Sequence, residues 1–516
     1  MKTIPAEVAA YVQQNEPRTP VFDCTAGVAR PTPGGTELRH RLVVIGDSLS
    51  HGFQSGSIFN TELSYPAIIA HELGWSGHFR HPRYPFRGGL PFNLEEVMRR
   101  AERRFGLEIS GWRESMQAAA DVWRFIDDVE DYWERGDGSI RPADPWINHC
   151  LAVYGWDLRD ALELTSDLCW DSLEPVNDNP FKPWVQNASE RAALRVYPSG
   201  EHSHRTFFDA AKALNADGGI ETLVVFLGAN NALKVVTRLK VEWSEDPGYA
   251  TRGKKDKYTV WQPEHFRAEL AEIEANVEAI GARRVIWCTV PHVTVAPIAR
   301  GVNQKKGTPY FEYYTRPWIP DGDFNQHTDD CITGAEAHAV DAAIDLYNEA
   351  ITATVRKGRE NHDWYLLDTA GLMDRLAHRR YIVDLEARPS WWEPYELPEA
   401  LAKLAPRIDS RFLTADGTGG RRTGGLFSLD GVHPTTVGYG LIAQELIKIM
   451  EQAGVVFRSA SGEKREGPIK VNFERLIEAD TLVKSPPQNI GFALDSLGWL
   501  DEMLDWAKLA TGGGWR

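Results

Sequence analysis

The chain has 516 residues, 42% of them hydrophobic and 25% charged, with a net charge of −16. That balance excludes disorder as the main state. So acidic a chain does not seek phosphate backbones, which argues against nucleic acid as a partner. The length is enough for two or three domains.

The N-terminus, Met1-Lys2-Thr3-Ile4-Pro5-Ala6-Glu7, continues polar and lacks the apolar core of a signal peptide. No apolar run approaches the roughly 18 residues of a membrane-spanning helix. Five cysteines (Cys24, Cys150, Cys169, Cys288 and Cys331) include no CxxC pair. They predict neither a disulfide framework nor a structural zinc site. The expectation is a soluble protein in a reducing, cytoplasmic location.

Residues 1–40 read as an N-terminal arm. Five apolar, partly β-branched runs then predict strands: Arg41–Ile45, His149–Tyr154, Thr222–Leu227, Arg284–Val290 and Trp364–Leu367. Continuous apolar strands suit a sheet covered on both faces. Helical patterns run over Ser64–Leu73, Leu158–Leu164, Glu264–Ile280, Ala337–Arg356 and Thr436–Gln452, with Gly281 and Gly454 as stops. Strands alternating with helices predict a mostly parallel five-stranded sheet in a three-layer α/β/α sandwich, spanning 41–455.

The intervals are uneven. Residues 75–147, 166–220, 235–262, 298–335 and 375–425 exceed what a crossover needs and read as large helical or loop insertions. Eight of the 18 tryptophans fall between Trp75 and Trp184. They fit either a helical cap with its own core or the wall of a substrate pocket. The basic stretch Arg252–Lys257 reads as a solvated loop. Residues 456–516 form a C-terminal extension, with an amphipathic stretch over Ile490–Leu509 that is expected to dock on the body.

Chemistry gathers where strands end, the edge at which parallel sheets place their sites. The first strand runs into Gly46-Asp47-Ser48, which offers a nucleophile, although Asp47 and Ser48 alone equally suit a turn or a helix cap. Gly46 reads as the residue that lets the chain turn sharply. The second strand ends in Tyr154-Gly155-Trp156, where a glycine exposes a backbone N–H or simply makes a turn. The third ends in Gly228-Ala229-Asn230-Asn231. The Asn230 side chain can donate to a developing oxyanion or cap a helix. Last comes Asp430-Gly431-Val432-His433, where an Asp and a His three apart can form a hydrogen-bonded pair that presents the second imidazole nitrogen to a serine.

In that order the four pieces resemble the SGNH hydrolases, also called GDSL esterases and lipases. That family is marked by GDS, an isolated Gly, GxND and DxxH. The resemblance covers the core of residues 41–454 and neither the insertions nor the tail. It implies a flavodoxin-like fold and a carboxylic ester hydrolase with Ser48, Asp430 and His433 as triad. The Ser48 and Gly155 N–H groups and Asn230 would form the oxyanion hole, and no cofactor or metal would be required. Asn231 departs from the family, which usually has Asp there.

The implied substrate is a small-molecule, carbohydrate or lipid ester; acyl length and oligomeric state stay open. Two other outcomes fit the same core: acyl transfer to an alcohol by the same triad, or a non-catalytic glycan- or partner-binding protein. A metallophosphoesterase would need a DxH step and a His beside Asn230, and both are missing. His202/His204 and His78/His81 resemble ligand spacings but lack trusted partners. His292, after the fourth strand, is a candidate pocket residue, and His51 is near Ser48 in sequence only.

Overall fold

The computed structural model describes residues 4–14, 16–31, 35–107, 111–173, 184–197 and 200–490. The five predicted strands form one sheet: β1 (Val43–Gly46), β2 (Cys150–Ala152), β3 (Thr222–Phe226), β4 (Arg284–Cys288) and β5 (Trp364–Leu367). Its order is β2-β1-β3-β4-β5, and every pairing is parallel. Val43 stands opposite Leu223 and Gly46 opposite Ala152. In this order the connections reverse direction between β1 and β3, the switch point beside whose carboxyl edge open parallel sheets place their sites.

The continuous apolar strands are explained by their two buried faces. Val43, Ile45, Leu223, Val225, Val285 and Trp287 point into one core, and Val44, Val224, Phe226, Ile286 and Cys288 into the other. On the first face lie α5 (Phe207–Ala216), α6 (Pro263–Ile280) and α7 (Gly334–Arg359). On the second lie α2 (Tyr65–Glu72) and α8 (Thr436–Gln452). Each fully buried Val, Leu or Ile contributes about 1.5–3 kcal/mol, so the sheet is a rigid platform for the loops that leave its strands. The arrangement is α/β with helices on both faces, compatible with an α/β/α sandwich.

Several expectations are corrected. The 166–220 interval is not wholly an insertion, because α5 is the crossover helix that leads into β3. Its start is marked by a capping box, Thr206 and Asp209, which bond each other's backbone N–H groups. Among the described residues, the tryptophan-rich 75–147 region shares its core with the sheet. Its helices, α3 (Leu94–Phe105) and α4 (Gly111–Glu134), send Val97, Met98, Phe125 and Trp133 into the same cluster as Val43 and Ile45. Of the eight tryptophans, Trp75, Trp133, Trp156 and Trp184 are buried and Trp112, Trp123, Trp146 and Trp170 are exposed. The 298–335 insertion carries an antiparallel ribbon, Arg300–Lys305, Phe311–Thr315 and Ile332–Thr333, rather than helix or loop.

Lys255 is not solvated. It is buried and bridges Asp157 (2.6 Å) and Asp160 (2.8 Å). All five cysteines are free thiols. The predicted amphipathic stretch Ile490–Leu509 lies, but for its first residue, outside the described residues. Among the described residues no helix is long and apolar enough to cross a membrane.

Candidate active site

β1 ends at Gly46, and the next residues form the four-residue helix α1 (Ser48–His51), capped by Asp47 through the Leu49 N–H (3.1 Å). Gly46 is required by contact rather than by its dihedrals. A Cβ there would stand 2.0 Å from Ser50 Oγ and 3.0 Å from the Phe226 carbonyl of the neighbouring strand. This close fit fixes the carboxyl end of β1, two residues before Ser48.

Ser48 Oγ lies 2.9 Å from His433 Nε2, and His433 Nδ1 lies 3.0 Å from Asp430 Oδ2. All three residues are buried. Asp430 Oδ1 also accepts the N–H groups of Val432 (2.9 Å) and His433 (2.8 Å), and its Oδ2 accepts that of Gly56 (2.9 Å). Burial pushes the Asp430 carboxyl up, but His433 and these donors outweigh it and hold the group below the usual carboxylate range. An ionised Asp430 can only accept, so Nδ1 carries the proton and Nε2 is left to accept from the Ser48 hydroxyl. The Phe53 ring, 4.5 Å from the His433 ring between centroids, closes one side of the imidazole.

The DxxH loop is tied to the loop after α1. Besides the Gly56 bond, the Ser55 N–H donates to Ser428 Oγ (2.9 Å) and the Leu429 N–H to Ser55 Oγ (3.5 Å). Tyr439, on α8, donates its hydroxyl to the Phe53 carbonyl (2.6 Å). Ser48 and His433 are therefore held by a shared hydrogen-bond frame, which sequence reasoning did not find because Ser55 and Gly56 match no motif.

The loops after β2 and β3, the strands that flank β1, meet each other through Asn230 and Asn231. Gly155 has φ of 77°, a conformation that side chains disfavour. Asn230 donates one amide hydrogen to the Trp156 carbonyl (2.8 Å), which leaves the second free. Neither the Ser48 nor the Gly155 N–H donates to another protein group among the described residues. Lys255 clamps the same loop through Asp157. Burial pushes its ammonium down, but the two aspartates outweigh this and hold it above the ordinary lysine range. Asn231 braces the loop from the other side through the Leu158 N–H (3.4 Å), and its own amide nitrogen has no partner.

Other candidates are placed elsewhere. His51 accepts the Tyr154 N–H at Nδ1 (3.3 Å), so its Nε2–H donates to Tyr84 (2.8 Å). Burial pushes it down to about 3, and it stays neutral. His292 lies between Asp345 (2.8 Å) and Asp374 (3.4 Å), away from Ser48. Burial pushes its imidazole down, but the aspartates around it win and hold it well above its ordinary value. His81 bonds Thr61 (3.2 Å). Among the described residues no three His, Cys, Asp or Glu side chains are grouped to hold a metal.

Asp47 yields a prediction. Its Oδ2 is buried without a partner, and burial raises the carboxyl to about 7. The unfolded group ionises near pH 4. Between about pH 4 and 7 the native state therefore holds a proton that the unfolded state has lost, so stability falls as pH rises. Asp47→Asn, neutral throughout, is expected to be more stable than wild type at pH 8 by a few kcal/mol, and less so at pH 5. Urea unfolding at both pH values checks this; an equal difference at the two would refute the ionisation account.

No family model, no curated protein and no solved structure matches this chain.

Proposed function

We propose that the protein hydrolyses carboxylic esters through an acyl-enzyme on Ser48. The observation that carries this reading is the unbroken Ser48–His433–Asp430 hydrogen-bond line, buried and placed at the switch point of the sheet. His433 takes the hydroxyl proton as Ser48 Oγ attacks the ester carbonyl, and Asp430 stabilises the imidazolium that forms. The uncommitted N–H groups of Ser48 and Gly155, with the free amide hydrogen of Asn230, supply donors for the oxyanion. His433 then protonates the leaving alcohol. Water repeats the sequence on the acyl-enzyme and frees Ser48.

The direct test is labelling with a serine-directed phosphonate. The adduct is expected on Ser48, with loss of p-nitrophenyl ester hydrolysis and insensitivity to chelators. A protein that hydrolyses no ester in a series from acetate to long acyl chains would remove the reading. It would leave the binding-protein alternative.

The oxyanion assignment has its own test. Asn230→Ala is expected to lower kcat by about 10²- to 10³-fold with little change in KM, because the lost donor acts in the transition state. An effect confined to KM would place Asn230 in substrate binding instead. The Asn230 bond to Trp156 makes circular dichroism and a melting curve necessary controls for loop collapse.

A further inference from the structure

Beside the DxxH loop the chain encloses a cavity of ≈ 210 Å³, walled by the loop after β4 and by the 298–335 and 375–425 insertions. Its wall packs on the DxxH loop at Gly431, the residue after Asp430. The Ile298 N–H donates to the Gly431 carbonyl (3.0 Å), and a Cβ on Gly431 would stand 2.9 Å from the Phe412 ring in the cavity wall. β4 lies two strands from β1, so this wall sits on the order of 10 Å from the line of Ser48.

Much of the wall is apolar, including Val295, Pro297, Phe311 and Phe412. Besides Arg300 and Arg411, a π-helical turn, His378–Ile382, presents His378, Arg379 and Arg380 consecutively. Such turns are rare and concentrate at functional sites. The other arginines on the wall are committed. Arg380 is paired with buried Asp341 (2.6 Å) and also bonds Thr294. Arg300 bonds Asp321 and the Ile319 carbonyl, and Arg411 pairs with Asp409 (2.7 Å).

Arg379 differs. Among the described residues its guanidinium makes no ion pair or hydrogen bond; it lies over the Phe311 ring at 5.4 Å. Burial, then the neighbouring Arg300, outweigh the favourable Asp321 and push its guanidinium down from the ordinary arginine range. A half-buried cation without a partner is unfavourable and favours an incoming anion.

We propose that this cavity is a subsite for a carboxylate carried by the substrate, with Arg379 as its counter-ion; the inference rests on the ester-hydrolase reading of the triad. One free guanidinium fork matches one carboxylate bidentately, whereas a phosphate dianion asks for more donors than remain uncommitted. The volume suits a short chain rather than a lipid tail, since drug-sized ligands need roughly 300 Å³ or more. The substrates that fit are monoesters of short dicarboxylic acids. Water cleaves their acyl–oxygen bond and releases the diacid and the alcohol.

The test compares monoethyl glutarate and monoethyl adipate with ethyl butyrate and ethyl valerate, on wild type, Arg379→Gln and Arg379→Lys. Wild type is expected to favour the anionic esters. Arg379→Gln is expected to lower the ratio of kcat/KM, anionic over neutral, by about 10- to 100-fold, and Arg379→Lys to restore part of it. An unchanged ratio overturns the subsite. Calorimetric binding of glutarate to Ser48→Ala, with and without Arg379→Gln, separates the two claims. Arg379-dependent binding without any ester hydrolysis sinks the hydrolase reading and keeps the carboxylate site. Hydrolysis of neutral esters without glutarate binding does the reverse.

Discussion

Ser48→Ala is expected to lower kcat for p-nitrophenyl acetate by on the order of 10³- to 10⁶-fold while the protein stays folded. The substitution removes one oxygen whose side-chain hydrogen bond is to His433 Nε2. It leaves the α1 backbone and the Asp430–His433 pair in place, so unfolding free energy should move by about 1 kcal/mol or less. Without the hydroxyl no acyl-enzyme forms, and only binding and the oxyanion donors can act on an ester attacked by water. Steady-state kinetics and a urea melt on the same preparation decide the matter. A variant that kept a tenth or more of the activity would remove Ser48 as nucleophile.

Asp430→Asn is expected to be almost as damaging to kcat, by about 10⁴-fold, and damaging to stability as well. The carboxylate accepts four N–H groups, two on each oxygen: Val432 and the His433 backbone on Oδ1, Gly56 and His433 Nδ1 on Oδ2. Asparagine has a single acceptor oxygen. Either way round, its NH₂ faces two donors in a buried place, at a cost of about 1–3 kcal/mol for each bond lost. The imidazole also loses the partner that fixes its tautomer. The pH dependence has a definite sign. A carboxyl held below its ordinary value contributes stability that is complete above about pH 4 and is lost as pH falls further. The wild-type advantage over Asp430→Asn should therefore shrink in acid. A difference that stayed constant from pH 7 to pH 3 would mean that the charge of Asp430 does not matter to the fold.

The readable parts of this chain were those governed by short-range rules. Strand residues such as Val43, Val44 and Ile45 alternate between two buried faces, and a run apolar on both faces shows in any window of four or five letters. Ser48, Gly155 and Asn230 stand where such runs end, so placing the strands also placed them, while the Asp430–His433 pair stands just before the last helix, α8. Helix α5 was legible too, through Thr206 and Asp209, but it sat in a long interval read as insertion. What escaped depends on partners far away in the chain. Lys255 sits in a basic, polar stretch that looks solvated. Its burial follows from two aspartates nearly 100 residues earlier. Gly46 was expected to serve a sharp turn, yet the close approach of Ser50 and Phe226 is what excludes a side chain. The ribbon of 300–333 and the π-helical turn at 378–382 are set by tertiary packing and leave no periodicity to read.

The Ser48–His433 contact joins residues 385 positions apart. Closing so long a loop is entropically costly and slow compared with forming any one crossover, and the loop contains four of the five strands of the sheet. During synthesis, Ser48 emerges early and then waits for β2 to β5 and the long insertions before its base is made. On the proposed mechanism, a chain still on the ribosome holds a serine with no activating imidazole, and cannot attack esters around it. In refolding, the return of the proposed activity is expected to follow the last long-range closure rather than the recovery of secondary structure. Circular dichroism should run ahead of turnover whenever intermediates accumulate.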